Sequence, residues 1–320
     1  MPLNLTAAAT DALCMAPGSH STHASRRISS RMAALLTAVV VLVAFTAGTP
    51  PAGAEESFTF TGGGWGHGVG LSQYGACGMA SAGSNYAQVL THYYTGTRVS
   101  GVAEPANLRV LLAESSTFTL EVPKGSTISG VGKLGSDRTV TVKPSGGKAR
   151  LSGGVSATVA LPLTVARTGA MRVSPPGQRF DRGHLVIRAH PEDSAKLRAI
   201  IGGLTTRDYL LGLGEMPASW PVEALKSQAT AARTVAVVKA ASSAGSDHDL
   251  KGYLDGAYIG YEVRAQAGPT YWPRWVNAID TTAGKVVTYG GKPIASAVYS
   301  SSSGGAPRTA RTCGGPRRRT

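Results

Sequence analysis

The stretch Asp208-Tyr-Leu-Leu-Gly212-Leu-Gly-Glu215-Met-Pro217-Ala-Ser219-Trp220-Pro221, running on into Val222–Ala241, decides how the rest of the chain is read. It confines one acid, Glu215, between glycines and prolines, in a chain where only 16% of residues are charged. Two readings are open at this point. Negative charge is favoured near any helix N-terminus, which makes Glu215 a plain loop acid. Its confinement also makes it a candidate proton donor. Ser219 is the expected N-cap, and Pro221 suits a first helical turn, where a missing N–H costs nothing. Ala-rich composition then favours a helix. Leu225, Ala229, Ala232, Ala236 and Lys239 recur at helical spacing and read as its core stripe, leaving Glu223, Lys226 and Arg233 to a solvated or capping face.

The 320 residues suffice for one large domain, or two moderate ones, with real cores. Apolar residues at 42% describe a folded protein, and 41 glycines with only 5 Phe point to many turns and strands. Net charge is +14, but residues 1–54 hold three Arg and one Asp, and without them +12 remains. Five arginines crowd the last thirteen positions, so the body is only moderately basic. It carries no Lys/Arg stripe interleaved with aromatics, which argues against nucleic acid as partner. Attraction to an anionic polymer such as a cell wall fits the charge as well.

Arg26, Arg27 and Arg31 precede the apolar run Met32–Ala47, and Ala52-Gly53-Ala54 offers a small-residue cleavage site. That layout is a secretory signal peptide, so the protein is expected to be exported and to meet the membrane only through this segment. The expected division is 1–54 as signal peptide with an N-terminal extension, 55–305 as the functional domain, and 306–320 as a basic tail. Cys77 and Cys313 could pair in an oxidising compartment, which only geometry decides. No CxxC or HExxH spacing occurs, so neither a metal site nor a cofactor is indicated.

Phe58-Thr-Phe60 starts as a strand and leads into Gly62-Gly-Gly-Trp65-Gly66-His67-Gly68-Val69-Gly70-Leu71-Ser72-Gln73-Tyr74-Gly75-Ala76. Six glycines in nine positions allow close backbone approach, and His67 and Gln73 are the polar side chains such a loop presents. Packing alone is the simpler account of this loop by itself. Short helices are expected over Ala76–Gly83 and Tyr86–Tyr94. From Asn107 to Arg188 apolar and polar residues alternate between turn signals. Strands are expected at Leu108–Leu112, Phe118–Val122, Thr139–Val142, Val159–Val165, Leu185–Ile187 and then Arg198–Leu204. A helix is expected at Trp272–Asp280. Next come a hairpin turning at Gly290-Gly291 and a strand over Ile294–Tyr299. The fold class is α+β: β-rich, with an inserted β subdomain over 107–190 and one Ala-rich helix after the Glu215 loop.

Several separated stretches now resemble one family. They are GWGHGVGLSQYGA (64–76) with LTHYYTG (90–96), DYLLGLGEMPASWPVEALKSQATAART (208–234), TTAGKVVTYGGKPIASAVYSSSSGG (281–305) and, more loosely, RGHLVIR (182–188). Together they are similar to the stage II sporulation protein D (SpoIID/LytB) family in a secreted, actinobacterial form. The resemblance implies a lytic transglycosylase that cuts peptidoglycan glycan strands between N-acetylmuramic acid and N-acetylglucosamine. It also implies that Glu215 is the catalytic acid. A hydrolysing glycosidase usually needs two carboxylates. A lytic transglycosylase uses no water, so one carboxyl can protonate the glycosidic oxygen. As carboxylate it then takes the proton of the muramic acid 6-hydroxyl as the 1,6-anhydro ring closes. A single acid without an obvious partner Asp agrees with that. Burial beside Met216 and Trp220 is expected to raise its pKa.

The resemblance further implies that His67, Ser72 and Gln73, and then Ser302, Ser303, Gly304 and Gly305, line a glycan groove. Trp220, Tyr258 and Tyr261 are the aromatics proposed to stack on sugars. Two departures stand out. Many relatives carry a Cys and a Gln before a Tyr-x-Gly, and here only Tyr258-Ile-Gly260 remains. After Gly305 the family continues into an acidic, aromatic segment, whereas Ala306–Thr320 reads like a truncated or frame-shifted C-terminus. Some relatives are described as amidase enhancers, so the rival expectation is a wall-binding modifier that stimulates another hydrolase.

Overall fold

The structure, a computed structural model, describes residues 67–302. The signal segment, the Phe58–Phe60 strand, Ser303, Gly304, Gly305 and the basic tail therefore lie outside the described residues. The architecture is α+β. Five helices occur among the described residues: α1 (Gln73–Ser81), α2 (Tyr86–Tyr93), α3 (Thr206–Leu211), α4 (Val222–Ser242) and α5 (Glu262–Thr281).

Strands dominate from residue 108 to residue 204. Phe118–Val122 shows why: Phe118, Leu120 and Val122 are buried, while Thr119 and Glu121 point away, the two-residue period of a half-buried strand. A six-stranded sheet runs in the order Gln178–Phe180, Met171–Ser174, Phe118–Val122, Arg138–Ser145, Lys148–Gly153, Ala157–Ala160. A seven-stranded sheet runs Leu250–Lys251, Leu108–Ser115, Leu197–Leu204, His184–Ala189, Leu163–Ala166, Thr127–Ile128, Gly132–Lys133. Phe118, Leu120, Val140, Leu163, Ile187 and Ile201 belong to one shared core. Each such side chain contributes roughly 1.5–3 kcal/mol by leaving water. The expected single strand over Val159–Val165 is two strands in two sheets, separated by a cis Leu161–Pro162 bond.

This β region is tied to the later, helical part of the chain. Leu250–Lys251 joins its seven-stranded sheet beside Leu108–Ser115, in parallel register. That pairing delivers the segment 251–260 to the Glu215 turn.

Helix α4 forms where the composition predicts it, but its cap and faces differ from expectation. Pro221, not Ser219, holds the N-cap position, and no side chain caps it. Arg233 is not solvated: it is 1% exposed, with Nε 2.6 Å from Glu104 and Nη2 donating to the Ile279 carbonyl at 3.0 Å. The core stripe stops at Ala236, and Lys239 is exposed. Helix α4 packs against α1, α2, α5 and the strand Lys285–Tyr289, an approach its alanines permit.

Helix α5 begins ten residues before the expected Trp272. A kink at Gly268 (φ 64°) divides it, and Pro269 opens its second segment. The expected hairpin forms from Lys285–Tyr289 and Lys292–Pro293, with positive φ at Gly290 and Gly291 in the turn. Of the expected strand over Ile294–Tyr299, only Tyr299–Ser300 is strand, and it pairs in parallel with Leu71–Ser72. Gly70 makes that pairing feasible. A Cβ there would stand 2.0 Å from the Val298 carbonyl oxygen, and φ is +75°.

Candidate functional site

Backbone pairing fixes Glu215. The Gly214 N–H donates to the Ala257 carbonyl at 2.8 Å, and the Ile259 N–H donates to the Gly212 carbonyl at 2.9 Å. The turn is thus clamped to the segment that enters through Leu250–Lys251. The Ala257 N–H donates to Glu215 Oε1. On the other oxygen, Gln73 Nε2 donates to Oε2 at 3.1 Å and also to Gln228 Oε1 at 3.2 Å. Gln73 is the first residue of α1 and is 5% exposed, while Gln228, on α4, is fully buried. Glu215 itself is half-buried. N–H donors meet both of its oxygens, and Met216 lines one of its clefts beside it.

Two clefts meet at this carboxylate. One, of about 480 Å³, is lined by Glu215 with His67, Lys239, Tyr253, Asp255 and Tyr299, among others. The other, of about 470 Å³, is lined by Glu215 with Met216, Ser219, Gln266, Tyr271 and Trp275, among others. A second acid, Asp255, is among the residues near Glu215. It shares the first cleft, although its oxygens are engaged: Oδ1 with Lys239 Nζ at 2.9 Å and Oδ2 with the Lys251 N–H at 2.7 Å. Burial pushes the phenols of Tyr209 and Tyr299 upward, and the negative charges of Asp255 and Glu215 add to it. Both hydroxyls are therefore neutral donors.

The remaining residues proposed from sequence divide. His67 is exposed and lines the first cleft. Ser72 is buried and caps α1, accepting from the Gly75 N–H at 3.1 Å. Trp220 is 7% exposed and its ring lies 5.0 Å from that of Tyr74, so it is a packing residue with no free face for a sugar. Tyr258 is likewise buried, stacked between Phe180 and Tyr209. Tyr261 lies beneath the Arg179 guanidinium. Ser302 is half-buried near the end of the described chain. Cys77 is fully buried and disulfide-bonded, and the other two cysteines fall outside the described residues. Among the described residues no three His, Cys, Asp or Glu side chains converge as a metal site requires.

Sequence reasoning misses Gln228, Lys239 and Asp255. Gln228 left a signal: an uncharged amide inside an Ala-rich buried run needs a hydrogen-bonding partner.

Residues 197–289 match the family model described as stage II sporulation protein, SpoIID. The match covers less than a third of the chain. Two curated relatives come from Bacillus subtilis (strain 168). An "Amidase enhancer" is 47% identical over 45 residues, 14% of this chain and 6% of that protein. "Stage II sporulation protein D" is 30% identical over 115 residues, 32% of this chain and 34% of that protein. The chain thus spans well under half the length of either relative. No solved structure matches. The matched stretch holds Glu215, α4 and Asp255, whereas His67, Gln73 and Tyr299 reach the site from outside it.

Proposed function

We propose that this chain is a secreted, wall-associated lytic transglycosylase that cuts peptidoglycan glycan strands between N-acetylmuramic acid and N-acetylglucosamine, with Glu215 as its acid. The observation that carries this reading is the position of one carboxyl group, that of Glu215, at the junction of two clefts. Such a carboxyl reaches a glycosidic oxygen whose two sugars lie one on each side. In its acid form it gives its proton to that oxygen, the bond to the muramic acid C1 breaks, and the N-acetylglucosamine leaves with a free 4-hydroxyl. The muramic acid 6-hydroxyl then bonds to C1 and returns its proton to Glu215. The SpoIID match and the names of both relatives support a role at the cell wall.

Asp255 is the observation behind a second reading, a hydrolase with two carboxylates. Both Asp255 oxygens are engaged, by Lys239 and by the Lys251 N–H, which favours the single-acid route. The amidase-enhancer name supports a third role, in which the clefts bind glycan and deliver an amidase. Digestion of purified glycan strands with mass analysis of the ends separates them. Ends carrying 1,6-anhydromuramic acid are expected, free reducing ends would favour the hydrolase, and no new ends would favour the binding role. Glu215→Gln is expected to lower the rate at least about a hundredfold, the usual weight of a positioned general acid. Full activity in that variant would remove Glu215 from the chemistry.

A further inference from the structure

The two clefts that share Glu215 are alike in size and unlike in charge. In the first, Lys239 and Asp255 form an ion pair on the wall, and Tyr253 and Leu254 stand exposed at 55% and 68%. The second has no charged side chain apart from Glu215, and Tyr271, 41% exposed, is its accessible aromatic. The two sugars of the substrate differ in the same way. Muramic acid carries a lactyl carboxylate, free where no peptide is attached, and N-acetylglucosamine carries no charge.

We propose that the first cleft receives the muramic acid that becomes the anhydro end, with Lys239 reading its lactyl carboxylate, and that the second receives the departing N-acetylglucosamine against Tyr271. This assignment rests on the glycan-cleaving reading above and adds the direction in which the strand lies. Lys239 is suited to the task by its surroundings. Asp255 keeps its Oδ2 bond to the Lys251 N–H when a substrate carboxylate shares the ammonium, so neither acid is stranded. The side chain of Lys239 is 47% exposed and lines the first cleft. Tyr271 is 41% exposed, with the Arg274 guanidinium 5.9 Å from its ring centroid, and so keeps accessible ring surface that the buried Trp220 and Tyr258 lack.

The test compares denuded glycan strands bearing free lactyl carboxylates with the same strands converted to neutral methylamides. Wild type is expected to prefer the carboxylate form. Lys239→Met is expected to erase that preference, a change of about tenfold, as for one charge-assisted hydrogen bond. Lys239→Arg is expected to keep most of it. Tyr271→Ala is expected to weaken both preparations alike. Affinities of the two preparations for Glu215→Gln chains, with and without Lys239→Met, give the same comparison without turnover. Failure to cut therefore counts against the reaction, and the binding preference still reports on Lys239. An unchanged preference in the Lys239→Met chain overturns the proposal. So does a preference erased by Tyr271→Ala, which would reverse the two sides.

Discussion

Between residues 108 and 204 the interior is largely apolar: among the described residues there Ser126 is the one fully buried polar residue, and Arg167 Nε is buried without a hydrogen-bond partner. Around helix α4, by contrast, Gln73, Ser227, Gln228, Thr230, Arg233, Thr234, Thr282, Thr288 and Ser300 are all buried. The β region fills its interior almost wholly with apolar side chains. The region under Glu215 places amides, hydroxyls and a guanidinium where methyl groups would pack more cheaply. Some of these groups are incompletely satisfied: Gln228 Nε2, Thr230 Oγ1 and Ser300 Oγ have no hydrogen-bond partner. Polar burial concentrated beneath one carboxylate marks a scaffold whose shape serves orientation, at a cost in stability that the apolar region offsets.

Three substitutions or conditions sharpen this contrast. Arg233→Met should have the largest effect on stability, a loss of about 3–5 kcal/mol, because it strands Glu104 and the carbonyls that Arg233 serves. Chemical denaturation reads that loss, and glycan cleavage should fall with it because α4 carries Gln228. Leu120→Ala, in the six-stranded sheet, should cost about 2–5 kcal/mol by leaving a cavity. Its cleavage rate, measured where the chain is folded, should stay at the wild-type value. Equal loss of rate in both variants would dissolve the distinction between the regions.

The smallest effect is expected from pH, acting at the seam between them. Arg179 from the six-stranded sheet holds Glu262 of α5 below the usual carboxylate range through its hydrogen bonds. Arg109 meets Asp249, and Arg198 meets Asp247, on the segment that leads to Leu250–Lys251. Burial pushes Asp249 and Asp247 up. Hydrogen bonds from Arg109 and Ser243 in the first, and from His248 and Arg198 in the second, outweigh it and bring both down. A depressed native pKa contributes stability above the unfolded value and loses it as pH falls through the native one. The unfolding midpoint should therefore be flat near neutrality and drop below about pH 4, where unfolded carboxylates begin to protonate. A midpoint that holds steady from pH 5 to pH 3 would show that these pairs do not tie the regions together.

How much of this is legible in the sequence depends on distance along the chain. Phe118–Val122 and the α4 helix follow from local period and composition, and the structure has them. Helix α5 is legible only from Trp272 onward, because Gly268, Pro269 and Pro273 read as breakers while the fold uses them for a kink and a fresh start. Arg233 reads as a wet-face residue, since its partner Glu104 lies far upstream and nothing local announces it. Trp220 suggests a sugar platform by its ring alone, and only packing against Tyr74 reveals a core residue. Gln73 stands out as a polar group in a Gly-rich loop. That it reaches Glu215 through a shared bond with Gln228 is a property of three elements at once.

The pairing of Leu71–Ser72 with Tyr299–Ser300 has a bearing on the order of events during synthesis. The two partners stand at opposite ends of the described chain, so the segment bearing Gln73 has no strand beside it until Tyr299 has been made. Closing so long a loop costs entropy that only the finished neighbourhood repays. Glu215 would thus gain its second hydrogen-bond donor late, after the apolar sheets have formed. A growing chain that has passed Glu215 gains the Gln73 contact only after some further eighty residues have brought in Tyr299.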